Sequence, residues 1–445
     1  MTGIERIKSQ FSDSPILQRF VTGFSWLLGG GAISTLLMAL STFAIAEYLG
    51  VKTYGVIALI TSTVLLTTGL LTLRTTEAIT KFLIDYIEHK QREKAGSLIA
   101  LGVFIDFFVA LVATMVLFFA SSFIVPFLFD SNEYLKWFQL FSVVPLLSFC
   151  YASSVAVLRV ANKFFIISVT EIINAVLIFS GNLYLIFAKA DWTEILTWMV
   201  TVAAIRGAIL LWSIFYALKA LNINNYFKLN LKNINSEFKE VFHLMLTSTL
   251  TFTIKTIHTQ ADTVIVGSIL GPASSGAYKL ARNIVQLLAF PTNALFQVSF
   301  PEFVRLLAKK NVLLFKKVLR NLILGTCGLA VTYCLGMWFV APLVFPYFIG
   351  DSYSSGLNLL PILVVGLSLV LISQYWQAAL VAINSAGQVA ASMGVALLIQ
   401  ISILLLFVPL FGIQAAALAY VAYCGTRAAL LYNRFNKYVT RSFKE

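Results

Sequence analysis

Long apolar runs fill the chain, and short clusters of lysine and arginine separate them. Each run exceeds the roughly 18 residues needed to cross a hydrocarbon core. The runs are continuously apolar rather than alternating, which predicts helices and excludes a β-barrel. Twelve spans are expected, over residues 22–46, 53–73, 97–128, 136–158, 164–187, 194–217, 244–269, 274–300, 319–348, 357–383, 389–410 and 412–433. The third and ninth are the longest and are expected to tilt or bend. No polar interval is large enough for a soluble domain, so the pattern describes an all-α integral membrane protein. The first run contains "AIA" at Ala44–Ala46, which resembles a processing site, but the run is too long for the apolar core of a signal peptide. A retained first span is expected.

Composition agrees: of 445 residues 59 % are hydrophobic and 11 % charged. No soluble core hides that much apolar surface. The charge that remains is organised. With both termini placed inside, the cytoplasmic segments hold 24 of the 32 lysines and arginines, while the outer loops hold Lys52, Lys136 and Lys189. Such a bias sets orientation and fits an even number of spans with both ends cytoplasmic. The net charge of +13 is then a matter of topology and of contact with anionic lipid heads, and nucleic acid is not needed to explain it.

Candidate chemistry is sparse. Cys150, Cys327, Cys334 and Cys424 lie in apolar runs without a paired spacing, so they read as buried thiols. His89, His243 and His258 form no metal-ligand spacing. No nucleophile elbow, phosphate-binding loop or loop-borne carboxylate pair occurs. Enzyme activity, a metal site and a cofactor are therefore not expected.

The chain is written twice. "EYLGVKTYGVIALI" places Leu49, Gly50 and Gly55 where "SILGPASSGAYKLA" places Leu270, Gly271 and Gly276, an offset of 221 residues. At that offset Asp130 and Ser131 answer Asp351 and Ser352, and Arg206 answers Arg427. Several matches at one offset indicate an internal repeat. The expected organisation is a six-helix bundle in 1–221, a cytoplasmic linker in 222–243 and a second bundle in 244–445. Six spans return the chain to its starting side, so the repeat is parallel; transporters of such construction hold their site between the halves near mid-membrane. The shared glycines speak to architecture. Lys255, Asp262, Lys279 and Arg282 map to Ser34, Ser41, Ala58 and Thr61, so that charge belongs to the second half alone.

Ionisable groups in a span are costly, by ~2.5–3.5 kcal/mol each, and tend to face a partner or a cavity. Here they are Asp106, Glu171, Arg206, Lys255, His258, Asp262, Lys279, Arg282 and Arg427. Lys255, His258 and Asp262 share one face of the seventh span, and Lys279, Arg282 and Gln286 repeat that spacing on the eighth. If the two spans form a hairpin turning near Gly271, Asp262 stands level with Lys279, His258 with Arg282, and Lys255 with Gln286. The same arithmetic sets Glu171 level with Arg206. Pairs Asp262–Lys279 and Glu171–Arg206 are expected, leaving Lys255 and Arg282 without a fixed anion. Arg427 is expected to snorkel toward the lipid heads. Asp106 reads as a helix contact or a cation site, and His258, alone near neutrality in its unperturbed pKa, as a structural group or a proton carrier.

Within Ala261–Leu306, residues Asp262, Gly267, Leu270, Gly271, Gly276, Tyr278, Pro291, Phe300 and Pro301 stand in the order of a known signature. The run resembles the polysaccharide-transport branch of the multidrug/oligosaccharidyl-lipid/polysaccharide (MOP) exporter superfamily. The resemblance implies two bundles enclosing a V-shaped cavity, as in multidrug (MATE-like) members. It implies a Wzx-type flippase moving an undecaprenyl-pyrophosphate-linked oligosaccharide, such as an O-antigen unit, across a bacterial inner membrane under a proton or sodium gradient. Polysaccharide polymerases or export proteins are possible partners. On that reading Lys255 and Arg282, then Arg206 and Lys279, hold the substrate, and Asp262, Glu171 or His258 handles the coupling ion. A multidrug exporter and a lipid II flippase are the alternatives; the first span lacks the basic residues of the latter. A membrane-embedded glycan ligase or polymerase would want a large outer loop, and the loops are short.

Overall fold

The computed structural model describes residues 15–223, 237–289, 303, 306, 312–340, 343, 351–383 and 385–442. Pro291, Phe300 and Pro301 of the signature and residues 224–236 of the linker lie outside them. Each predicted span is mostly helical where it is described, and none of the described residues is in a strand.

Helix α1 (Pro15–Leu71) holds the first two spans and is interrupted at Gly50 (φ 71°, ψ 168°). Residues 238–288 repeat the design, interrupted at Gly271 (φ 83°, ψ 174°). The repeat-related glycines thus share one backbone conformation, which L side chains rarely adopt and glycine enters freely. Between these elements come α2 (Thr75–Glu88), α3 (Arg92–Phe129), α4 (Leu135–Phe141), α5 (Val144–Leu147), α6 (Tyr151–Val160), α7 (Phe164–Phe187) and α8 (Trp192–Ala220). Then follow α9 (Phe238–Leu288), α10 (Val312–Leu335), α11 (Ser354–Leu357), α12 (Leu360–Ala382), α13 (Ala386–Phe411) and α14 (Ile413–Ser442).

Among the described residues, eight helical stretches are long and apolar enough to cross a membrane. One of them, Leu28–Leu71, contains both spans of α1. Helix α9 is not among the eight; its two arms carry Lys255, His258, Asp262, Lys279 and Arg282, the polar ladder noted in the sequence.

Two elements depart from the simple pattern. The basic stretch after the second span is not a plain connector: α2 is amphipathic and buries Ala78, Ile79, Phe82, Leu83 and Tyr86. The fourth span is broken into α4, α5 and α6, with Pro145 at the start of α5. The third, by contrast, is one continuous helix of 38 residues. At 1.5 Å per residue it is about 57 Å long, well beyond a ~30 Å hydrocarbon core, so it must tilt or project into the heads.

Contacts gather the chain into two compact units. Unit 1 is Met1–Met38, Leu71–Phe119 and Gln139–Thr249; unit 2 is Ala39–Leu70, Ala120–Phe138 and Leu250–Glu445. In unit 1 the buried face of α2 joins Leu98, Ile99, Leu158, Leu210, Ile214 and Leu218 in one apolar core. In unit 2 a core of Phe315, Leu319, Tyr375, Met393, Leu431 and Phe435 ties α10, α12, α13 and α14 together. Also in unit 2, the α1 and α9 breaks bring backbone against backbone. A Cβ built on Gly55 would lie 1.8 Å from the Pro272 carbonyl oxygen, and one on Gly276 would lie 2.4 Å from the Val51 oxygen and 2.9 Å from Gly55 Cα. Only glycine allows that approach.

Candidate functional site

The second-half charges of the sequence come together in unit 2. Asp262 is fully buried, and both of its oxygens are occupied. Oδ2 accepts from the Tyr278 hydroxyl at 2.9 Å and from Arg282 Nε at 3.1 Å; Oδ1 accepts from its neighbour Thr263 N at 2.7 Å. Arg282 is 4 % exposed in its side chain, and its guanidinium lies 3.9 Å over the Tyr420 ring. Ion pair, hydroxyl and aromatic face together compensate a charge that the interior would otherwise reject.

His258 sits beside this pair without touching the carboxylate. Its Nδ1 hydrogen-bonds the side-chain amide of Gln400, 2.8 Å from Oε1. The ring stacks on Tyr423 at 3.6 Å and on Tyr420 at 5.6 Å between centroids. Lys279 points another way. Its ammonium donates to Ser62 Oγ at 3.1 Å and Gln260 Oε1 at 3.0 Å, both neutral, and no carboxylate lies within ion-pair distance among the described residues. One turn on, Asn283 donates to the Tyr54 hydroxyl at 3.3 Å. Lys255 keeps its side chain exposed on the same helix face as His258. Arg427 is 7 % exposed and donates from Nη2 to Gln377 Oε1 at 2.5 Å, while its Nε has no partner.

Unit 1 treats its embedded charges differently. Arg206 Nη2 meets Glu171 Oε1 at 2.5 Å, and the guanidinium lies 4.6 Å over the Tyr151 ring. Asp106 has no ion-pair partner among the described residues. Its Oδ1 accepts from Thr75 Oγ1 at 2.8 Å, and its Oδ2 from Ser153 Oγ at 2.5 Å and Ser153 N at 3.0 Å. Ser153 is the third residue of α6, so the carboxylate caps that helix beginning, where backbone N–H groups lack partners, and the Thr75 hydroxyl at the start of α2 holds it in place. That is what stabilises the break in the fourth span: Asp106 supplies the cap that α6 has no residue of its own to make. A cavity of about 350 Å³ in unit 1 is lined by apolar side chains such as Val103, Phe104, Phe107, Phe149 and Phe215, and offers nothing to an anionic group. At the edge of unit 1, Glu237 accepts from Tyr86 and from Lys94 Nζ at 3.0 Å. The Tyr86 hydrogen bond, reinforced by Lys94, holds the Glu237 carboxyl below the ordinary glutamate range against a weaker opposing effect of burial.

Three expectations need correcting. Asp262 pairs with Arg282, not Lys279, because Tyr278 and Arg282 are four residues apart on one helix face and Lys279 is turned about 100° away. Arg282 therefore has a fixed anion. Arg427 is buried rather than snorkelling, since Gln377 receives it inside the bundle. The Glu171–Arg206 pair forms as the depth arithmetic expects. The aromatic box around His258 and Arg282 comes from α14, distant in sequence, and was not legible there.

A family model described as "Polysaccharide biosynthesis protein" matches residues 20–307, more than half of the chain. The chain belongs to that family. This polysaccharide biosynthesis protein is similar to the "Inner membrane protein YghQ" of Escherichia coli (strain K12), with 21 % identity over 303 residues, 67 % of this chain and 84 % of that protein. Its fold is that of the MOP superfamily. An inward-facing multidrug resistance MATE family transporter superposes with a TM-score of 0.75 at 12 % identity, covering 92 % of this chain and 96 % of the other. The lipid II flippase MurJ, in an inward closed conformation, superposes with a TM-score of 0.74 at 16 % identity, covering 92 % and 87 %. The fold it shares with the MATE transporter and MurJ is an all-helical, multi-pass membrane fold.

Proposed function

We propose that this protein flips an undecaprenyl-pyrophosphate-linked oligosaccharide from the cytoplasmic to the outer leaflet of a bacterial inner membrane. Two six-helix halves, 1–221 and 244–445, joined by the 222–243 linker and with both termini cytoplasmic, would expose a site alternately to each side. The observation that carries this reading is a charge imbalance. Away from the helix ends, the described spans of unit 2 hold Lys255, Lys279, Arg282 and Arg427 against one carboxylate, Asp262. Embedded cations in excess call for an anion, and a diphosphate diester supplies two negative charges. Lys279, an ammonium held by neutral oxygens, is a ready point charge for phosphate. Lys255 is the exposed partner on the same helix. Arg282 joins them if the ligand displaces Asp262, and Arg206 contributes if Glu171 releases it. Asp262, Glu171 and His258 are the groups through which a proton or sodium ion would act, since each binds or neighbours a cationic side chain that a coupling ion could free.

The multidrug reading rests on the equally close MATE fold. It wants an accessible carboxylate for a cationic drug, and Asp262 is fully buried with Thr263, Tyr278 and Arg282 donating to it. That favours the anionic substrate. The test is a deletion strain complemented with Lys279→Gln or Lys255→Gln. Expected are loss of surface glycan and accumulation of undecaprenyl-pyrophosphate glycan on the inner leaflet, with the protein still in the membrane. Normal glycan export in both variants overturns the assignment; drug sensitivity without lipid-linked accumulation favours the multidrug exporter.

A further inference from the structure

The repeat offset equates Arg206 with Arg427 and Glu171 with Ser392. In the first copy the arginine and the acid are both present and bonded at 2.5 Å. In the second the arginine remains and the acid is gone. Ser392 is fully buried and gives its hydroxyl to the Gln388 carbonyl oxygen at 2.9 Å. Arg427 is 7 % exposed and has one hydrogen bond, to the neutral amide oxygen of Gln377. Its Nε is buried without a partner. The Nε of Arg206 is unpartnered too, so the orphan donor alone does not distinguish the copies; the missing carboxylate does.

Among the described residues no ion pair gives Arg427 the acid that Glu171 gives Arg206. Within the described spans of unit 2 the carboxylate is Asp262, and Arg282, Tyr278 and Thr263 occupy it. Tyr423, one turn before Arg427, stacks on His258, which sits beside the Arg282–Asp262 pair. A guanidinium has five donors in a planar fork that suits oxyanions. Buried here with a neutral amide, it lacks, among the described residues, the counter-ion its twin has.

We propose that Arg427, oriented by Gln377, is an oxyanion subsite that takes the diphosphate of the lipid-linked substrate, which stands where a repeat of Glu171 would have stood. This rests on the flippase reading above and adds to it a residue of the last span. Lys279 and Lys255 come from the seventh and eighth spans, so Arg427 would hold the headgroup from a third helix.

The experiment measures binding of undecaprenyl diphosphate, without sugar, to the full-length protein in lipid nanodiscs, by native mass spectrometry or fluorescence titration. Expected is at least tenfold weaker binding for Arg427→Gln, near-normal binding for Arg427→Lys, and at least tenfold weaker binding for Ser392→Glu, which supplies an internal acid. Melting temperature reports folding, and the lysine variant keeps the outcome readable if the glutamine variant is unstable. Wild-type affinity in Arg427→Gln overturns the subsite and leaves the flippase reading standing. A loss that appears only with an acidic-sugar lipid also overturns the diphosphate assignment, placing a sugar carboxylate there instead. No binding by the wild-type protein overturns both.

Discussion

Arg206 in unit 1 and Arg427 in unit 2 occupy equivalent places in the repeat, yet one sits beside a carboxylate and the other beside an amide. The same contrast runs through both units. Embedded charge in unit 1 is closed locally: Glu171 meets Arg206, and Asp106 is occupied by the start of α6 that it caps and by the Thr75 hydroxyl. Away from the helix ends, the described spans of unit 2 hold four cations against one acid, which only Arg282 touches in an ion pair. An arginine in a membrane helix is thus no functional signal by itself. What decides is whether the fold supplies its counter-ion, and a duplicated chain displays both outcomes side by side.

The contrast can be broken most sharply at the two ion pairs. Asp262→Asn leaves Arg282 buried without an anion and is expected to cost about 3–5 kcal/mol. Glu171→Gln removes the partner of an arginine that is 25 % exposed, and is expected to cost about 1 kcal/mol or less. Thermal melting in one detergent reads both, and equal losses would mean that the pairs do the same structural task. Next in size is Gly276→Ala in unit 2, whose added Cβ meets the Val51 carbonyl at 2.4 Å; a loss of about 1–3 kcal/mol is expected. Gly29→Ala in unit 1 has nothing within 4 Å and should be neutral or slightly stabilising in the same assay.

The smallest effect concerns Glu237. Its pKa is lowered in the folded protein, so the contact with Tyr86 and Lys94 contributes stability above the ordinary glutamate range, and that contribution disappears as pH falls through the lowered value. Melting curves taken from pH 7 down to below about pH 4 should show an acid-side loss that Tyr86→Phe reduces. An unchanged acid limb in that variant would remove Tyr86 as its cause.

Much of the architecture was legible in the sequence because hydrophobic runs of bilayer length have one stable form in lipid. The hairpin depth arithmetic found Glu171–Arg206 and put Asp262 level with Lys279. It misassigned the pair because depth carries no information about direction around the helix, and one residue changes that by about 100°. The α2 helix had a visible signal in the spacing of Ala78, Ile79, Phe82, Leu83 and Tyr86, masked by the basic residues that marked the stretch as a connector. Pro145 marked the break in the fourth span. The packing of His258 against Tyr423 and Gln400 had no local signal, since those groups come from helices more than 140 residues away.

Gly55 and Gly276 are the same residue of the repeat, and they touch. Equivalent residues can meet each other only across the axis that relates their copies. For a six-span ancestor pairing with itself, this would be an isologous interface in which one glycine is its own complement, and any substitution there would be felt twice. Once both copies lie in one chain, the two positions are free to diverge, and both have stayed glycine while the polar residues around them, Lys279 opposite Ala58 and Arg282 opposite Thr61, have not stayed alike.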